Sequence, residues 1–223
     1  MNQKDTEKKL SAEKAVEIIE DGMTVGLGTG STVYFAIKKL GERVKDGLKI
    51  KTVSTSNSST DLARSFGIEP LSIDNAGIID INIDGADEAN RSFNGIKGGG
   101  GALLFEKIVA LNSKKNIWII DSDKLVNQLG NYPLPVEVIP FGYKRVFGIL
   151  KKYDPAVRMK DDGFYKTDSG NLIFDLHLNK IEDPQTLDAE LKQITGVVET
   201  GLFIGIADTI IIGRKDGTEI LIK

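Results

Sequence analysis

Cysteine is missing from this chain of 223 residues, and histidine occurs only once, as His177. Without cysteine the protein can form neither disulfides nor a thiolate zinc site. A Ser-His-Asp triad could use only His177, and a metal site built from several histidines is excluded. Any chemistry must therefore depend mainly on carboxylates, lysines, hydroxyl groups and the backbone.

A strong charge of one sign and long apolar runs are also missing. The formal net charge is -3 at pH 7, which gives no electrostatic reason to expect nucleic acid or an anionic membrane as a partner. Lysine pairs such as Lys8-Lys9 are interpreted as solvated faces. The start, MNQKDTEKKL, has no apolar signal core, and no later run could span a bilayer. Together with the lack of cysteine, these features suit a cytoplasmic protein.

The first half of the chain alternates between helix and strand patterns. Helical spacing of apolar residues marks the segments 11–20, 33–44, 58–66 and 102–112, and short apolar runs between them mark strands. Strands that alternate with helices predict a parallel sheet covered on both faces. The expected fold class is therefore α/β.

The pattern changes after Gly130. NYPLPVEVIP contains three prolines and predicts an extended crossing segment, followed by a helix, several short strands and a helix that starts at Asp183-Pro184. A C-terminal hairpin with a turn at residues 215–217 could rejoin the large sheet. We therefore expect a main domain of residues 1–130 plus 206–223, and a small α+β domain of residues 131–205.

The turn GLGTGST lies where a predicted strand leads into a predicted helix. A helix N-terminus presents backbone N–H groups and the positive end of its dipole, so it can hold a phosphate. Gly28 and Gly30 would let a ligand approach closely, and Thr29, Ser31 and Thr32 would add hydroxyl donors. The alternative is an ordinary capped turn, because the third glycine of the dinucleotide fingerprint and the lysine of a P-loop are both missing.

Two aspartates, Asp84 and Asp87, follow an apolar strand in the segment IDGADEAN. Open parallel sheets bind ligands at the carboxyl ends of their strands, and both side chains could face such a ligand across the turn at Gly85. The alternative is an Asx-type turn with a solvated Glu88. Two acids separated by a glycine favour a functional site.

Four glycines, Gly98–Gly101, connect Lys97 to the helix that contains Glu106. So many glycines are unfavourable to order, and close approach of the backbone to a ligand or to another chain would explain them. Their N–H groups could stabilise an oxyanion. Apolar surroundings would raise the pKa of Glu106 and suit it to act as a general base. In the alternative, which helix geometry permits equally, Glu106 and Lys107 simply face solvent.

Two further residues have weaker local signals. Lys124 follows the next strand and could reach a phosphate or a hydroxyl, although its surroundings alone favour an ordinary loop lysine. His177 alternates with Leu176 and Leu178 in a predicted strand of the small domain. We expect His177 to be structural.

Four segments occur in a characteristic order: GLGTGST, DGADE, KGGGGALLFEK and YPLPVEVIP. With the later NLIFDLHL and TGVVETGLF, they closely resemble ribose-5-phosphate isomerase of the A type over nearly the whole chain. The resemblance implies interconversion of ribose 5-phosphate and ribulose 5-phosphate in the non-oxidative pentose phosphate pathway, through a cis-enediolate and without a metal or other cofactor. It also implies a Rossmann-like main domain with a smaller α+β domain, in a homodimer or homotetramer.

The resemblance also implies roles for individual residues. Glu106 takes the position of the proton acceptor, and Asp84, Asp87 and Lys97 take the other catalytic positions. The substrate-binding positions are held by Thr29, Gly30, Ser31, Thr32, Gly85, Ala86, Gly98, Gly99, Gly100 and Lys124.

Two positions depart from the family's pattern. The family often has alanine where this chain has Gly101, and a polar residue where it has Phe105. These differences leave the implied proton transfer intact but alter the expected wall of the pocket.

Two other functions fit parts of the sequence. An amino-sugar-phosphate deaminase or a sugar lactonase would use a related fold, but deamination is expected to need a catalytic histidine, and His177 lies in the small domain. A non-catalytic sugar-phosphate sensor could lose the base and would carry a further binding module. Glu106, Asp84 and Asp87 are all present, which favours the enzyme.

Overall fold

The computed structural model describes residues 2–223, which contain seven α-helices. Their bounds are α1 Gln3–Val16, α2 Ser31–Lys45, α3 Asn57–Ser65, α4 Ile73–Ala76, α5 Leu103–Leu111, α6 Tyr143–Leu150 and α7 Pro184–Lys192. Two short 3-10 helices cover Ser122–Lys124 and Lys151–Tyr153. Within residues 2–223, no helix combines the length and the apolar character needed to cross a membrane.

The strands of this part of the chain form one large sheet and three small ones. Their bounds are β1 Thr24–Leu27, β2 Lys51–Ser54, β3 Ile81–Gly85, β4 Glu88–Ala89, β5 Asn94–Ile96, β6 Asn116–Ile120, β7 Leu134–Val138, β8 Pro155–Val157, β9 Met159–Lys160, β10 Gly163–Phe164, β11 Leu172–Leu176, β12 Val197–Thr200, β13 Leu202–Ile204, β14 Thr209–Arg214 and β15 Gly217–Ile222.

The large sheet has the order β15-β14-β6-β3-β1-β2. All neighbouring strands in it are parallel except β14 and β15. Every residue of β6, NIWII, is buried, as expected for a parallel strand covered on both faces. In chain order the parallel strands follow the doubly wound arrangement 2-1-3-4-5, so the order reverses between β1 and β3. The predicted α/β class is confirmed.

Helices cover both faces of this sheet. Successive residues of a strand point to opposite faces. Val25 and Leu27 of β1 belong to the core that packs under α1 and α2. Gly26 faces α5 instead, since a Cβ at Gly26 would lie 3.0 Å from a methyl of Val109. Glycine at this position therefore lets α5 pack closely on the sheet.

Helix α1 differs from its prediction, which placed a helix over residues 11–20. It begins at Gln3 and ends at Val16. Its first turns are polar, so apolar periodicity does not reveal them. They are held by tertiary contacts, because the buried carboxylate of Glu7 accepts hydrogen bonds from the N–H and hydroxyl of Ser122 at 3.0 and 2.6 Å.

Contacts divide the chain into two compact units. The first contains the residues up to Ala86, Phe105–Leu125 and Gly205–Lys223, and the second contains Asp87–Leu104 and Val126–Ile204. The predicted domain boundaries differ from these units, because they place 87–104 and 126–130 in the main domain and Gly205 in the small domain. Strands β4 and β5 explain the first difference, since β4 pairs with β5 and β5 pairs with β13 in a three-stranded antiparallel sheet of the second unit.

The second unit also contains the antiparallel sheet β12-β7-β11-β8. The segment predicted to be an extended crossing contributes its buried strand β7. Pro135 fits in this strand because it needs only to accept a hydrogen bond, and its carbonyl accepts from Gly201 N–H at 2.7 Å. Helix α7 starts as predicted, with the Asp183 carboxylate accepting from Thr186 N–H at 3.1 Å.

The C-terminal hairpin also forms at the predicted turn. Strands β14 and β15 pair from Thr209 with Ile222 to Arg214 with Gly217. Strand β14 lies parallel to β6, so the end of the chain rejoins the large sheet.

Candidate active site

In the first unit, three candidate segments lie at one edge of the large sheet. Residues 28–32 follow β1, Asp84 and Gly85 end β3, and residues 121–124 follow β6. Parallel strands present their carboxyl ends together, and ligands bind there where the strand order reverses. Since β1 and β3 flank that reversal, the sheet brings the GTGST turn and Asp84 to the position where a ligand is expected.

Asp84 is buried and held by the backbone. Its Oδ1 accepts from Thr29 N–H at 3.1 Å and from Gly85 N–H at 2.7 Å, and the residue is 1% exposed. A Cβ at Gly28 would lie 2.0 Å from this oxygen, so only glycine permits the approach of the two strand ends. The two N–H groups stabilise a negative charge on the carboxylate.

The hydroxyl of Thr29 is engaged with the start of α3. Thr29 Oγ1 lies 2.7 Å from Thr55 Oγ1 and 2.8 Å from Ser56 Oγ. Ser59 Oγ in turn donates to the Gly28 carbonyl at 2.6 Å. This hydroxyl cluster fixes the GTGST turn. The cluster was not predicted, although the run TSNSS directly after β2 was a visible signal.

A lysine that sequence reasoning missed lies at the start of α2. Lys8 Nζ is 3.0 Å from Ser31 Oγ, and Ser31 and Thr32 are the first residues of the helix. Gly30 precedes them with φ of +118°, which glycine adopts readily. This contact is exposed, so Lys8 stays on a solvated face and also reaches the start of α2. The helix N-terminus and the ammonium together favour an anion at this position.

Helix α1 also supports the segment that contains Lys124. Lys124 closes the 3-10 helix that begins at Ser122, and its N–H donates to the Asp121 carbonyl at 3.3 Å. The Ser122 hydroxyl, with the amide of Gln3, holds the pKa of Glu7 below its ordinary value despite burial. Glu7 is therefore a charged anchor at neutral pH, one residue before Lys8.

Glu106 lies in the first turn of α5 and is buried. Glu106 and Lys107 are 3% and 4% exposed, whereas Ile108 and Leu111 are 45% and 72% exposed. The alternative in which Glu106 and Lys107 face solvent is therefore wrong. The helix turns these two charged side chains inward. This position removes the carboxylate of Glu106 from bulk water.

The second unit contains Asp87 and the glycine loop, Gly98–Gly101. Asp87 Oδ2 accepts from Gly99 N–H at 2.7 Å. A Cβ at Gly99 would lie 2.5 Å from Tyr132 Oη and 2.6 Å from Asp87 Oδ1. Gly98 has φ of +106°, a conformation that side chains disfavour. The loop therefore needs glycine at Gly98 for its backbone angle and at Gly99 for space.

Lys97 precedes this loop with its side chain inside the second unit. It is 2% exposed, and its N–H donates to the Gly201 carbonyl at 2.9 Å. Its Nζ lies 5.3 Å from the centre of the Phe203 ring, within the range of a cation–π contact. The ammonium is thus a buried positive charge directly before the four glycines.

Glu88 has a structural position. It is 3% exposed and accepts from the N–H groups of Gly130 and Tyr132 at 2.7 and 2.6 Å, so it is not the solvated residue of the turn alternative.

Burial, reinforced by the charge of Asp87, raises the pKa of Tyr132 to about 12. The Tyr132 hydroxyl therefore stays protonated at neutral pH. Tyr132 was not predicted as a site residue, although it opens the YPLPVEVIP segment.

His177 belongs to the second unit. It is exposed after β11, and its Nδ1 is 3.2 Å from the Asp154 carbonyl. Residues 2–223 contain no group of three or more His, Cys, Asp or Glu side chains arranged to hold a metal ion.

The doubly wound sheet, its buried carboxylates and the glycine loop define an α/β enzyme with acid–base chemistry. A family model described as ribose 5-phosphate isomerase A (phosphoriboisomerase A) matches residues 51–217. The chain belongs to the ribose-5-phosphate isomerase A family, as its motifs predicted. It is 50% identical over 224 residues to the ribose-5-phosphate isomerase A of Lactiplantibacillus plantarum, with 99% of this chain and 98% of that protein covered.

Solved structures of ribose-5-phosphate isomerases also match this chain over nearly its whole length. A D-ribose-5-phosphate isomerase in complex with phospho-erythronic acid is 40% identical, with a TM-score of 0.96 and complete coverage of both chains. The ribose 5-phosphate isomerase A of Neisseria gonorrhoeae is also 40% identical, with a TM-score of 0.91 over 98% of this chain and 97% of that one.

Proposed function

We propose that this chain interconverts D-ribose 5-phosphate and D-ribulose 5-phosphate by proton transfer through a cis-enediolate. The observation that carries the proposal is the burial of Glu106 on α5, the residue to which the resemblance of the motifs gives the role of proton acceptor. A relative binds phospho-erythronic acid, whose carboxylate places two oxygens on one carbon next to a phosphorylated sugar chain. The negative charge on these carboxylate oxygens resembles the negative charge on the oxygens of an enediolate.

The proton steps follow from the chemistry of the open-chain sugar. Its aldehyde at C1 makes the hydrogen on C2 acidic. Glu106 removes this proton from C2 and delivers a proton to C1. Asp84 or Asp87 assists ring opening and moves the hydroxyl proton from O2 to O1. The protons balance, so the steps require neither a metal nor a cofactor.

Lys97 and the glycine loop stabilise the negative oxygen of the enediolate, with Gly100 N–H as a backbone donor, while Gly99 N–H holds the carboxylate of Asp87. Donors that are already oriented stabilise developing charge most effectively, because they do not have to reorganise during the reaction. The buried ammonium of Lys97 and the constrained angles of the loop support this assignment.

The phosphate binds at the start of α2. Ser31 and Thr32 supply N–H and hydroxyl donors, Lys8 adds an ammonium 3.0 Å from Ser31 Oγ, and Lys124 contributes from the end of β6. Thr29 and Gly30 shape this turn, while Gly85 and Ala86 shape the turn after Asp84. Binding energy from the distant phosphate then positions the carbons that react.

We further propose that the enzyme is a cytoplasmic homodimer or homotetramer of the non-oxidative pentose phosphate pathway. Apolar side chains on the outer face of α5 support self-association, because Phe105, Ile108 and Leu111 are exposed. Light scattering during gel filtration would test this, since a monomeric mass at micromolar concentration would contradict it.

The activity is tested with ribose 5-phosphate in D₂O. The wild-type protein should form ribulose 5-phosphate with solvent deuterium at C1. Glu106→Gln should lower kcat by about 10²–10⁴ and leave KM little changed, because it removes only the base. The control Glu42→Gln changes an exposed glutamate that pairs with Lys39 and should keep wild-type turnover.

Three outcomes would contradict parts of this proposal. No conversion by the wild-type protein would exclude the activity. Conversion without deuterium would exclude proton exchange with solvent through an enediolate. Full turnover by Glu106→Gln would show that another group acts as the base.

A further inference from the structure

Two side chains hold three consecutive carbonyl groups of the glycine loop. Arg158 Nη1 donates to the carbonyls of Gly98 and Gly99 at 2.8 and 3.1 Å. Tyr165 Oη donates to the carbonyl of Gly100 at 3.1 Å. The resemblance of the motifs assigns no role to either side chain, and both come from the second unit.

Arg158 is itself rigidly held. Its Nε donates to Asp175 Oδ2 at 2.9 Å and its Nη2 to Asp175 Oδ1 at 2.5 Å. The two side chains are only 15% and 19% exposed, and Asp175 belongs to β11, an inner strand of its sheet. A bidentate pair fixes the plane of the guanidinium. Arg158 therefore links the glycine loop to β11 and fixes the loop relative to that strand.

Because each carbonyl and the following N–H belong to one planar peptide group, fixing the carbonyl also fixes the direction of the N–H. In a trans peptide the C=O and the following N–H point in opposite directions, and residues 2–223 contain no cis peptide. Holding the Gly98 carbonyl thus directs Gly99 N–H away from Arg158, where it meets Asp87 Oδ2 at 2.7 Å. Holding the Gly99 carbonyl directs the N–H of the exposed Gly100 away from Arg158 in the same manner.

The same arrangement accounts for Gly101, where the family often has alanine. A Cβ at Gly101 would lie 2.2 Å from Tyr165 Oη and 2.5 Å from two carbons of its ring. Glycine at this position therefore makes room for Tyr165. The ring also lies 5.8 Å from the guanidinium carbon of Arg158, so both side chains support the loop together.

We propose that Arg158 is a positioning residue that orients two peptide groups of the glycine loop for catalysis. It directs Gly99 N–H to Asp87 and Gly100 N–H to the enediolate oxygen. This inference rests on the proposed function, because that reaction supplies the anion. Without Arg158 the loop has more backbone freedom, and its donors must reorient when charge develops.

Arg158→Lys tests the proposal. Lysine keeps the positive charge but lacks the planar fork, so it cannot bind Asp175 at two points and two carbonyls at once. We expect kcat to fall by at least about tenfold, a part of the effect of losing an oxyanion donor, while KM changes little. A matched control, Arg214→Lys, alters another arginine–carboxylate pair, Arg214 with Glu219, and should keep wild-type kcat.

Binding provides a readout that does not depend on turnover. Phospho-erythronic acid carries a carboxylate, whereas erythritol phosphate has the same carbon chain with a neutral hydroxyl. In Arg158→Lys the first should bind at least about tenfold more weakly, and the second should bind with wild-type affinity. Asp175→Asn, which leaves every donor of Arg158 in place but loosens the fork, should shift the same ratio less and serves as a second variant.

An unchanged ratio of the two affinities in both variants would overturn the inference. Equal weakening of both ligands, together with a lower melting temperature, would also overturn it, because that pattern indicates a purely structural role. If the wild-type protein did not turn over ribose 5-phosphate, the proposed function would fail, and the two affinities would still decide whether Arg158 orients the loop.

Discussion

Lys8 is a single residue whose neighbourhood, rather than its type, defines its role. It and Lys9 are adjacent, yet Lys8 contacts Ser31 at 3.0 Å, while Lys9 lies 3.7 Å from Glu13 on the exposed side of α1. Adjacent residues of a helix point in different directions. The pair therefore provides a test of the proposed phosphate site in which charge and sequence position are nearly matched.

We predict that Lys8→Met raises KM for ribose 5-phosphate by about tenfold or more, with little change in kcat. The reason is the loss of one charge-assisted hydrogen bond to phosphate, worth about 1.5–3 kcal/mol. Lys9→Met should leave both constants unchanged. Steady-state kinetics of the two variants at one salt concentration measures the difference. Equal effects of the two substitutions would contradict a specific contact of Lys8 with the phosphate.

The burial of Glu106 could not be predicted from the spacing of residues along its helix. Helical spacing allowed this residue to face either solvent or the interior, and the structure buries it together with Lys107. Periodicity usually turns apolar residues inward, but α5 exposes Ile108 and Leu111 instead. A charged group on the inner face of a helix is not visible from the residue types alone.

Among the elements, strand β7 contains a buried carboxylate outside the proposed chemistry. Glu137 is 1% exposed, and its Oε1 accepts from Thr167 Oγ1 and Asn171 Nδ2, both at 2.9 Å. It lies opposite Glu199 of β12 in the sheet. Burial raises the pKa of Glu137, the two hydrogen bonds oppose this, and the negative charge of Glu199 adds to the increase.

This pKa shift makes the stability of the protein depend on pH. The folded state keeps the proton of Glu137 at pH values where the unfolded state has already released it. Stability from this group is therefore complete below the ordinary value of 4.5 and is lost as the pH rises through the higher folded-state pKa. Glutamine cannot ionise and has no such loss.

We predict that Glu137→Gln gains stability relative to the wild-type protein as the pH rises from about 4 to neutrality. Melting temperatures of both proteins across this range measure the gain. Glu20→Gln, at an exposed position, serves as the control and should show no comparable trend. A difference between wild type and Glu137→Gln that is the same at every pH would exclude the shifted ionisation.

The elements differ in how far local signals predict them. Asp183 and Pro184 predict the start of α7 because a cap and its helix are neighbours in sequence. The polar beginning of α1 was missed because Glu7 is stabilised by Ser122, 115 residues away. Where a helix is held by distant polar contacts, apolar spacing contains no record of its boundary.

At the scale of the whole molecule, the side chains available as metal ligands determine the expected response to chelators. The chain has no cysteine and one histidine, and residues 2–223 contain no cluster of three potential metal ligands. The proposed isomerisation moves protons between carboxylates and the substrate. We predict that dialysis against EDTA leaves kcat unchanged. Activity that disappeared and returned on addition of Mg²⁺ or Mn²⁺ would contradict the metal-free steps.

The sequence by itself determined the α/β class, the C-terminal hairpin and the family. Strand and helix periods reflect burial of neighbouring residues, and the order of the motifs identifies the family without coordinates. Tertiary structure alone decided that Glu106 is buried, that Lys8 lies at Ser31, and that Arg158 holds the glycine loop from 60 residues away. These contacts depend on how separate elements pack, and residue spacing within one element does not record that packing.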